Sequence, residues 1–319
     1  MTGSLARKVA IVTGSSSGIG RATVLALAAE GASVVVHGRN EKRLKSCTTL
    51  LLEAGVESSR FLVVAGEIQS SETQKQLVEK TVHRFGRIDI LVNNAATCIK
   101  PDCDPAAIDN LDYLFNVNLR SLIVLTNLVL PYLEESKGTV VNVSSVGSKK
   151  VVPGAIYYGI LKSALNHYGR SMAEFCAPKG IRVNTVLPGL VKTNFMAPLG
   201  VDETTAGAIY DRTAQTCALE RRAGEAHEIA AGIVFLASSG ASYITGQELV
   251  IDGGDTVHRY SQTMVAANGK TVGKSGNTNP ENGVCNITLE NGNGNGVLEN
   301  GNENCAINSN TGPAINHFK

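Results

Sequence analysis

The sequence Thr13-Gly14-Ser15-Ser16-Ser17-Gly18-Ile19-Gly20 joins a β-branched run at residues 9–12 to a helical pattern at residues 21–30. A glycine-rich turn between a strand and a helix is the context in which such a turn binds phosphate. The first glycine permits the tight turn, the second lets the main chain approach a pyrophosphate, and the third lets helix and strand pack closely. The helix N-terminus, with free N–H groups and a positive dipole end, favours the anion. The residues expected to contact the pyrophosphate are Gly14, Ser16, Ser17, Gly18, Ile19 and Gly20.

Outward from this turn, β-branched runs alternate with helical patterns as far as about residue 260. The runs lie at 9–12, 33–36, 61–64, 88–92, 139–143, 182–187 and 249–251. The helical patterns lie at 21–30, 41–52, 72–85, 108–130, 155–175 and 226–237. Several runs are apolar on both faces, as in strands covered by helices on both sides. The alternation predicts one α/β domain, a doubly wound (Rossmann) parallel seven-stranded sheet with helices on both faces.

Composition changes sharply near the C-terminus. Residues 266–319 contain 14 Asn and 9 Gly, with near-copies of Leu-Glu-Asn-Gly at 289–292 and 298–301. Such a segment buries too little apolar surface to offset its chain entropy. We expect a dinucleotide-binding catalytic domain at 1–260 and a disordered Asn/Gly-rich tail at 261–319, either an interaction segment or a tolerated extension.

Charge and cysteine usage exclude several classes of protein. The 29 basic and 28 acidic side chains leave a net charge of +1, which argues against a nucleic-acid partner. No apolar run reaches 18 residues, and the N-terminal residues do not resemble a signal peptide, so we expect no membrane partner and a cytoplasmic location. The seven cysteines are scattered without a Cys-x-x-Cys pair, which predicts neither a disulfide framework nor a metal site.

Tyr158 and Lys162 are four residues apart within the helical pattern at 155–175, so they share one helix face. A phenol with a pKa of about 10 is a poor base at neutral pH. A nearby ammonium would stabilise the phenolate and lower that pKa toward the working range. The alternative pair, Tyr157 and Leu161, has no cation, so the spacing favours Tyr158 as a general acid/base.

Further motifs follow in a fixed order along the chain. They are Asn93-Asn94-Ala95, Asn118, Ser145, Tyr158-x-x-x-Lys162, Pro188-Gly189, Tyr243-Ile244-Thr245-Gly246 and Asp252-Gly253-Gly254. With the G-x-x-x-G-x-G spacing of the first turn, the chain resembles the classical short-chain dehydrogenase/reductase family over about residues 6–255. Within that family it is similar to 3-oxoacyl-acyl-carrier-protein reductases.

The resemblance implies a nicotinamide cofactor and a role for each matching residue. Asn118 would hold a water for a proton relay, Ser145 would polarise a substrate carbonyl, and Tyr158 would transfer the proton. Lys162 would also bond the nicotinamide ribose. Beyond the glycine turn, the implied cofactor contacts are Arg39, Glu67, Asn94, Ala95, Tyr158, Lys162, Pro188, Gly189, Val191 and Thr193.

The end of the second predicted strand bears on which nicotinamide cofactor is used. A carboxylate there would accept hydrogen bonds from the ribose of NAD and repel a 2′-phosphate. This chain has Gly38 where NAD-preferring relatives carry an acid, and Arg39 follows. A guanidinium suits phosphate, so the sequence favours NADP(H), with an exposed arginine that meets only water as the alternative.

These observations predict an oxidoreductase that moves a hydride between NADP(H) and a carbonyl or secondary alcohol. The alternatives are a non-catalytic dinucleotide-binding regulator, an NAD-preferring dehydrogenase, and an epimerase or dehydratase on a related fold. Residues 194–217 are expected to cover a small-molecule substrate that the sequence leaves undefined. Apolar excess in the patterns at 108–130 and 155–175 favours a homodimer or homotetramer.

Overall fold

Seven parallel strands form the central sheet. They are β1 (Val9–Val12), β2 (Ser33–Gly38), β3 (Phe61–Ala65), β4 (Ile90–Asn93), β5 (Thr139–Val143), β6 (Arg182–Pro188) and β7 (Glu248–Ile251). Their spatial order is β3-β2-β1-β4-β5-β6-β7, which confirms the predicted doubly wound sheet. This computed structural model describes residues 3–152, 154–200, 203–215 and 217–257, together with 263–265 and 271–273.

Helices cover both faces of the sheet. They are α1 (Gly18–Ala29), α2 (Glu41–Glu53), α3 (Ser71–Phe85), α4 (Ile108–Phe115), α5 (Ser121–Ser136), α6 (Ile156–Cys176), α7 (Glu203–Ala214) and α8 (Ala226–Ala237). On one face α1, α2 and α8 contribute Leu27, Leu51 and Ile233 to the core. On the other face α3, α5 and α6 contribute Leu77, Leu125 and Ala173. Because both faces are covered, β1 is buried along its whole length.

The order of the strands reverses at β1. Along the chain β2 and β3 extend the sheet to one side, and β4 then pairs with the other side of β1, with Ile11 opposite Leu91. The connections after β1 and β4 leave the sheet toward opposite faces, so a crevice opens at the carboxyl ends of these two strands. The glycine-rich turn lies at this reversal.

The predicted helix at 108–130 is two helices. A five-residue π-turn, Asn116–Arg120, separates α4 from α5, and α5 continues through Pro131 to Ser136. A π-turn inserts a residue into the helical ladder without a local sequence signature, so apolar periodicity alone did not indicate the break. α7, which lies within the predicted substrate cover, was likewise not predicted as a helix.

By length and apolar composition, the span Ile108–Ser136 could cross a membrane. Half of its most apolar window is buried inside the protein, where Leu125, Val129 and Leu133 pack in the core. Burial of this kind is what a core helix of an α/β domain shows, so the apolar composition of this span is accounted for by the fold.

The chain divides into two units, Met1–Thr256 and Val257–Lys319. In the second unit, β8 (Thr263–Val265) and β9 (Thr271–Gly273) form a two-stranded antiparallel ribbon. The remainder of the predicted tail, from residue 274 onward, lies outside the described residues. The disorder expected for residues 261–319 therefore stays a prediction.

Candidate active site

The glycine-rich turn is packed tightly against the end of β4. The Asn94 side-chain amide donates to the main-chain carbonyls of Thr13 at 2.8 Å and Gly14 at 3.2 Å. A Cβ built on Gly20 would lie 2.5 Å from that amide nitrogen, and one built on Gly14 would lie 2.8 Å from the Cα of Ala95. The Thr13 hydroxyl accepts the N–H groups of Asn94 and Ala95, both at 3.0 Å. Asn94 and Ala95 therefore hold the turn in place.

The N-terminus of α1 is open to an anion. Gly14 and Gly18 have φ values of 64° and 54°, so the chain turns tightly enough to expose its N–H groups. The N-cap residue Ser17 makes no side-chain cap hydrogen bond, and the first turn of α1 carries no acidic residue. The positive end of the helix dipole thus faces the turn without a competing carboxylate. This arrangement fits the pyrophosphate of a dinucleotide.

His37, at the end of β2, contacts the turn and was not singled out from the sequence. Its Nδ1 accepts the Gly14 N–H at 3.1 Å, and the side chain is 2% exposed. Burial lowers the pKa of His37 to about 4, so the imidazole is neutral at physiological pH and keeps Nδ1 as an acceptor. The one sequence signal was a polar residue at the end of a run of buried valines.

The ends of β2 and β3 bring Arg39 and Glu67 together. Arg39 Nη1 lies 3.4 Å from Glu67 Oε1, and both side chains are about half exposed. A Cβ built on Gly38 would lie 2.6 Å from Ser16 Oγ, so Ser16 occupies the space that a side chain at residue 38 would need. The position where NAD-preferring relatives carry an acid is therefore closed by packing.

Tyr158 and Lys162 lie on one turn of α6 and are 8% and 2% exposed. The Lys162 ammonium nitrogen is 5.5 Å from the centroid of the Tyr158 ring and donates to the Val143 carbonyl at 2.7 Å. The Ser145 hydroxyl adjoins the Tyr158 phenol and favours its phenolate form, and the Ser145 side-chain oxygen accepts the Gly147 N–H at 3.0 Å. Three of the four predicted catalytic side chains are thereby brought together.

The neighbouring side chains point elsewhere. The Ser144 hydroxyl donates to the Lys162 main-chain carbonyl at 3.1 Å. The Tyr157 hydroxyl donates to the Ala106 carbonyl at 2.8 Å. Tyr158 and Ser145 are therefore the members of each adjacent pair that contact one another.

Burial dominates the protonation of the Tyr158–Lys162 pair. It raises the pKa of Tyr158, and the neighbouring Ser145 hydroxyl only partly opposes that rise. Burial also lowers the pKa of Lys162 to about 7. The Lys162 ammonium was expected to lower the pKa of the Tyr158 phenol toward neutrality. In the protein by itself, the pKa of Tyr158 is instead raised. At neutral pH the phenol keeps its proton while the lysine titrates.

Asn118 lies in the π-turn and makes no side-chain hydrogen bond to the other predicted catalytic residues of the described chain. Its side-chain amide donates to the Thr97 carbonyl at 2.8 Å, and its amide oxygen accepts the Thr97 N–H at 2.9 Å. Asn118 is fully buried, so these two bonds lock the loop after β4 to the π-turn. Because each end of the amide is already bonded to Thr97, we expect a water held by Asn118 to bond its main-chain carbonyl.

The loop after β6 reaches back to the glycine-rich turn. A Cβ built on Gly18 would lie 3.1 Å from Thr193 Cγ2, which places Thr193 directly over the turn. Val191 forms a bridge with Gly224 and is buried. In the segment Pro188-Gly189, the Gly189 N–H donates to the Ile251 carbonyl at 2.9 Å, which fixes the start of this loop against β7. The predicted contacts on this side therefore lie at the crevice.

The residues after Thr193 cover the Tyr158 side chain. The ring centroids of Phe195 and Tyr158 are 5.5 Å apart, and the Cys98 thiol donates to the Phe195 carbonyl at 3.4 Å. Tyr210, on α7, donates through its hydroxyl to the Thr193 carbonyl at 2.8 Å. Phe195 and Tyr210 both lie within residues 194–217, the predicted substrate cover, whereas Cys98 was missed because its contact depends on a loop distant in sequence.

Comparisons with known proteins match this arrangement. Residues 14–256 match the profile of the family described as Enoyl-(Acyl carrier protein) reductase. Tropinone reductase-like 3 of Erythroxylum coca is 35% identical over 248 residues, which cover 77% of this chain and 92% of that protein. The 3-oxoacyl-acyl-carrier-protein reductase of Thermotoga maritima is 35% identical over 252 residues, covering 77% and 97%.

Solved structures agree with these relatives. A short-chain dehydrogenase/reductase of unknown function from Caenorhabditis elegans, solved with cofactor, is 38% identical, with a TM-score of 0.76 over 80% of this chain and 97% of that chain. The apo glucose dehydrogenase of the same organism is 37% identical, with a TM-score of 0.68 over 79% and 99%. The chain belongs to the short-chain dehydrogenase/reductase family. It is thus an oxidoreductase that binds NAD(P) and acts on a small-molecule carbonyl or alcohol.

Replacing Lys162 with Met should stabilise the fold while it abolishes turnover. The pKa of Lys162 is about 7 in the folded protein and has its higher, ordinary value in the unfolded chain. Between these two pH values the unfolded chain binds a proton that the folded protein does not. The free energy of unfolding of the wild type therefore rises with pH in that window. Below the window, the full cost of burying the charged lysine is present. Urea unfolding should show Lys162→Met more stable by about 1–3 kcal/mol at pH 6, with a smaller gain at pH 9.5. An equal gain at both pH values would contradict this account.

Tyr210→Phe should loosen the cover by removing the bond to Thr193. One lost hydrogen bond is worth about 1 kcal/mol, so we expect kcat/KM to fall roughly three- to tenfold. Tyr243→Phe, which changes a fully exposed tyrosine, is the matched control and should leave kcat/KM unchanged. Equal effects of the two variants would show that the bond from α7 has no part in catalysis.

Proposed function

We propose that this enzyme transfers a hydride between NADP(H) and a carbonyl or secondary alcohol, with Tyr158 as general acid/base. The observation that carries the proposal is the buried contact of Tyr158 with Ser145 and Lys162 under the Phe195 ring. A regulator that only bound a dinucleotide would need the glycine-rich turn but not a buried tyrosine–lysine pair. The geometry therefore favours catalysis.

Each side chain has a distinct task in this proposal. The nicotinamide cofactor, when bound, supplies the hydride chemistry. Ser145 donates to the substrate oxygen and polarises the carbonyl, and Tyr158 gives its proton to that oxygen as the alkoxide forms. Lys162, one helical turn away, supplies positive charge that favours the resulting phenolate. The Phe195 ring excludes water from the phenol.

Proton resupply follows from the protonation of the pair. Lys162 titrates near neutrality because of its burial, so it can pass on a proton that the phenol, with its raised pKa, holds tightly. The main-chain carbonyl of Asn118 is the proposed water contact. The π-turn supports this role, because the additional residue in a helical turn disturbs the regular pairing of main-chain carbonyls.

Two features support NADP(H) over NAD(H). Ser16 fills the space beside Gly38, so no acid that would bond the ribose hydroxyls of NAD and repel a 2′-phosphate can occupy residue 38 without a clash. Arg39 follows immediately and is half exposed at the carboxyl end of β2, where a guanidinium can bond a phosphate. The 2′-phosphate of NADP(H) is the proposed partner of Arg39.

The proposed assembly is a homodimer or homotetramer, and the proposed location is the cytoplasm. Large apolar side chains remain exposed on α4 and α6, where Ile108 is 63%, Ile156 59% and Ile160 57% exposed. Phe115, at the end of α4, is also exposed. Apolar side chains grouped on neighbouring helices are typical of a surface that a second subunit covers.

Tyr158→Phe should lower kcat by about 10²–10⁴-fold, because it removes the proton donor and leaves the ring packing intact. NADPH binding, measured by fluorescence, should change by less than about twofold. Tyr157→Phe is the matched control, since it removes the adjacent hydroxyl and its bond to Ala106 and should keep near wild-type kcat. Full turnover in Tyr158→Phe on a panel of carbonyl substrates would refute the assignment of the acid.

Arg39→Asp should shift cofactor preference toward NADH. Losing a charge-assisted contact and gaining a repulsive carboxylate should lower the NADPH-to-NADH ratio of kcat/KM by at least about tenfold. Arg43→Asp makes the same charge change on α2 and is the control, with an unchanged ratio expected. If Arg39→Asp left the ratio where it was, the preference for NADP(H) would be wrong.

A further inference from the structure

The carboxylate of Glu67 forms an ion pair with the guanidinium of Arg39, which is the group proposed to bind the 2′-phosphate of the cofactor. Arg39 follows β2, Glu67 follows β3, and the two side chains form an ion pair of 3.4 Å. The connections after the two strands are fixed relative to each other, because the Gly66 N–H donates to the Gly38 carbonyl at 3.0 Å. The main chain therefore places Glu67 opposite Arg39 next to that bond. The pairing follows from the parallel register of β2 with β3.

Residues around the pair hold each partner in position. The Gln69 side-chain amide donates to the second oxygen of Glu67 at 2.8 Å, which orients the carboxylate. The side chain of Tyr113, on α4, approaches Arg39 from another element and favours its charged form. The distance of 3.4 Å is longer than the 2.7–2.9 Å typical of a charge-assisted hydrogen bond, so the bond to Glu67 is weak and can be exchanged.

The geometry points to Glu67 as a determinant of cofactor specificity that competes with the 2′-phosphate of NADP(H) for Arg39. This inference rests on the proposed use of NADP(H). A bound 2′-phosphate must displace the carboxylate from the guanidinium or bond it beside a like charge, and both lower its affinity. NAD(H) has no 2′-phosphate and meets no such competition. Glu67 therefore reduces the preference for NADP(H) over NAD(H) that Arg39 alone would give.

The test is equilibrium binding of NADPH and NADH to the full-length chain carrying Glu67→Gln. The amide keeps the size of the side chain and removes the charge. Because exposed ion pairs contribute little, we expect NADPH to bind about two- to fivefold more tightly and NADH to be unchanged. Competition with 2′,5′-ADP and with 5′-AMP should reproduce the difference, which isolates the 2′-phosphate. The gain should shrink as salt is raised, because the charges are half exposed.

Two further variants separate the pairing from a general charge effect. Glu72→Gln removes the same charge from a nearby exposed carboxylate that accepts a bond from Gln76, and it should change neither affinity. In an Arg39→Ala background, Glu67→Gln should no longer improve binding of NADPH, because the guanidinium for which Glu67 and the 2′-phosphate compete is absent. A matched gain in both backgrounds, or a gain shared equally by NADH, would overturn the competition.

The outcomes also separate this inference from the proposed function. If Arg39→Ala weakens NADPH binding while Glu67→Gln leaves it unchanged, competition by Glu67 is refuted and the NADP(H) assignment stands. If Arg39→Ala changes the affinities for NADPH and NADH equally, the NADP(H) assignment fails, and the inference fails with it. Weaker binding of both cofactors to Glu67→Gln would make Glu67 an adenosine contact instead of a competitor.

Discussion

The close packing of the first turn against the end of β4 is the constraint on which the site depends. The Asn94 amide can bond the carbonyls of Thr13 and Gly14 only because Gly20 carries no side chain beside it. That contact fixes the start of α1, and with it the direction of the N–H groups that face a pyrophosphate. It also joins the two strands at which the sheet reverses, so the cofactor crevice and the centre of the fold are the same junction.

Much of the architecture could be predicted from the sequence, because buried parallel strands are apolar on both faces and their helices are periodic. The seven strands were found within two residues at each end. The π-turn at Asn116–Arg120 was not predicted, because helical apolar periodicity continues on both sides of it and the inserted residue leaves no separate signal in the sequence. α7 was missed as well, because its sequence is mostly small and polar and its link to the site is one tyrosine hydroxyl.

The Tyr158–Lys162 pair was proposed from its spacing and the other candidate residues from resemblance to the family, whereas the electrostatics of the site were not accessible from the sequence. Tyr158 and Lys162 are four positions apart, which places them on one face in any helix. How deeply that face is buried depends on Phe195 and Val143, which come from distant parts of the chain. The direction of both pKa shifts is therefore a property of packing. Arg39 and Glu67 are similar, since only the pairing of β2 with β3 makes them neighbours.

The central position of β1 has a consequence for synthesis of the protein. β1 is made about 80 residues before β4, and β4 can pair with it only after residue 90 has been made. At about 5–20 residues per second, that interval is roughly 4–16 s, during which one edge of an apolar strand has no partner. Thr193, which lies over Gly18, emerges later still. The glycine-rich turn thus receives its contact with Thr193 about 175 residues after Gly18 has been made, and a nascent chain held at residue 190 would lack a complete cofactor crevice.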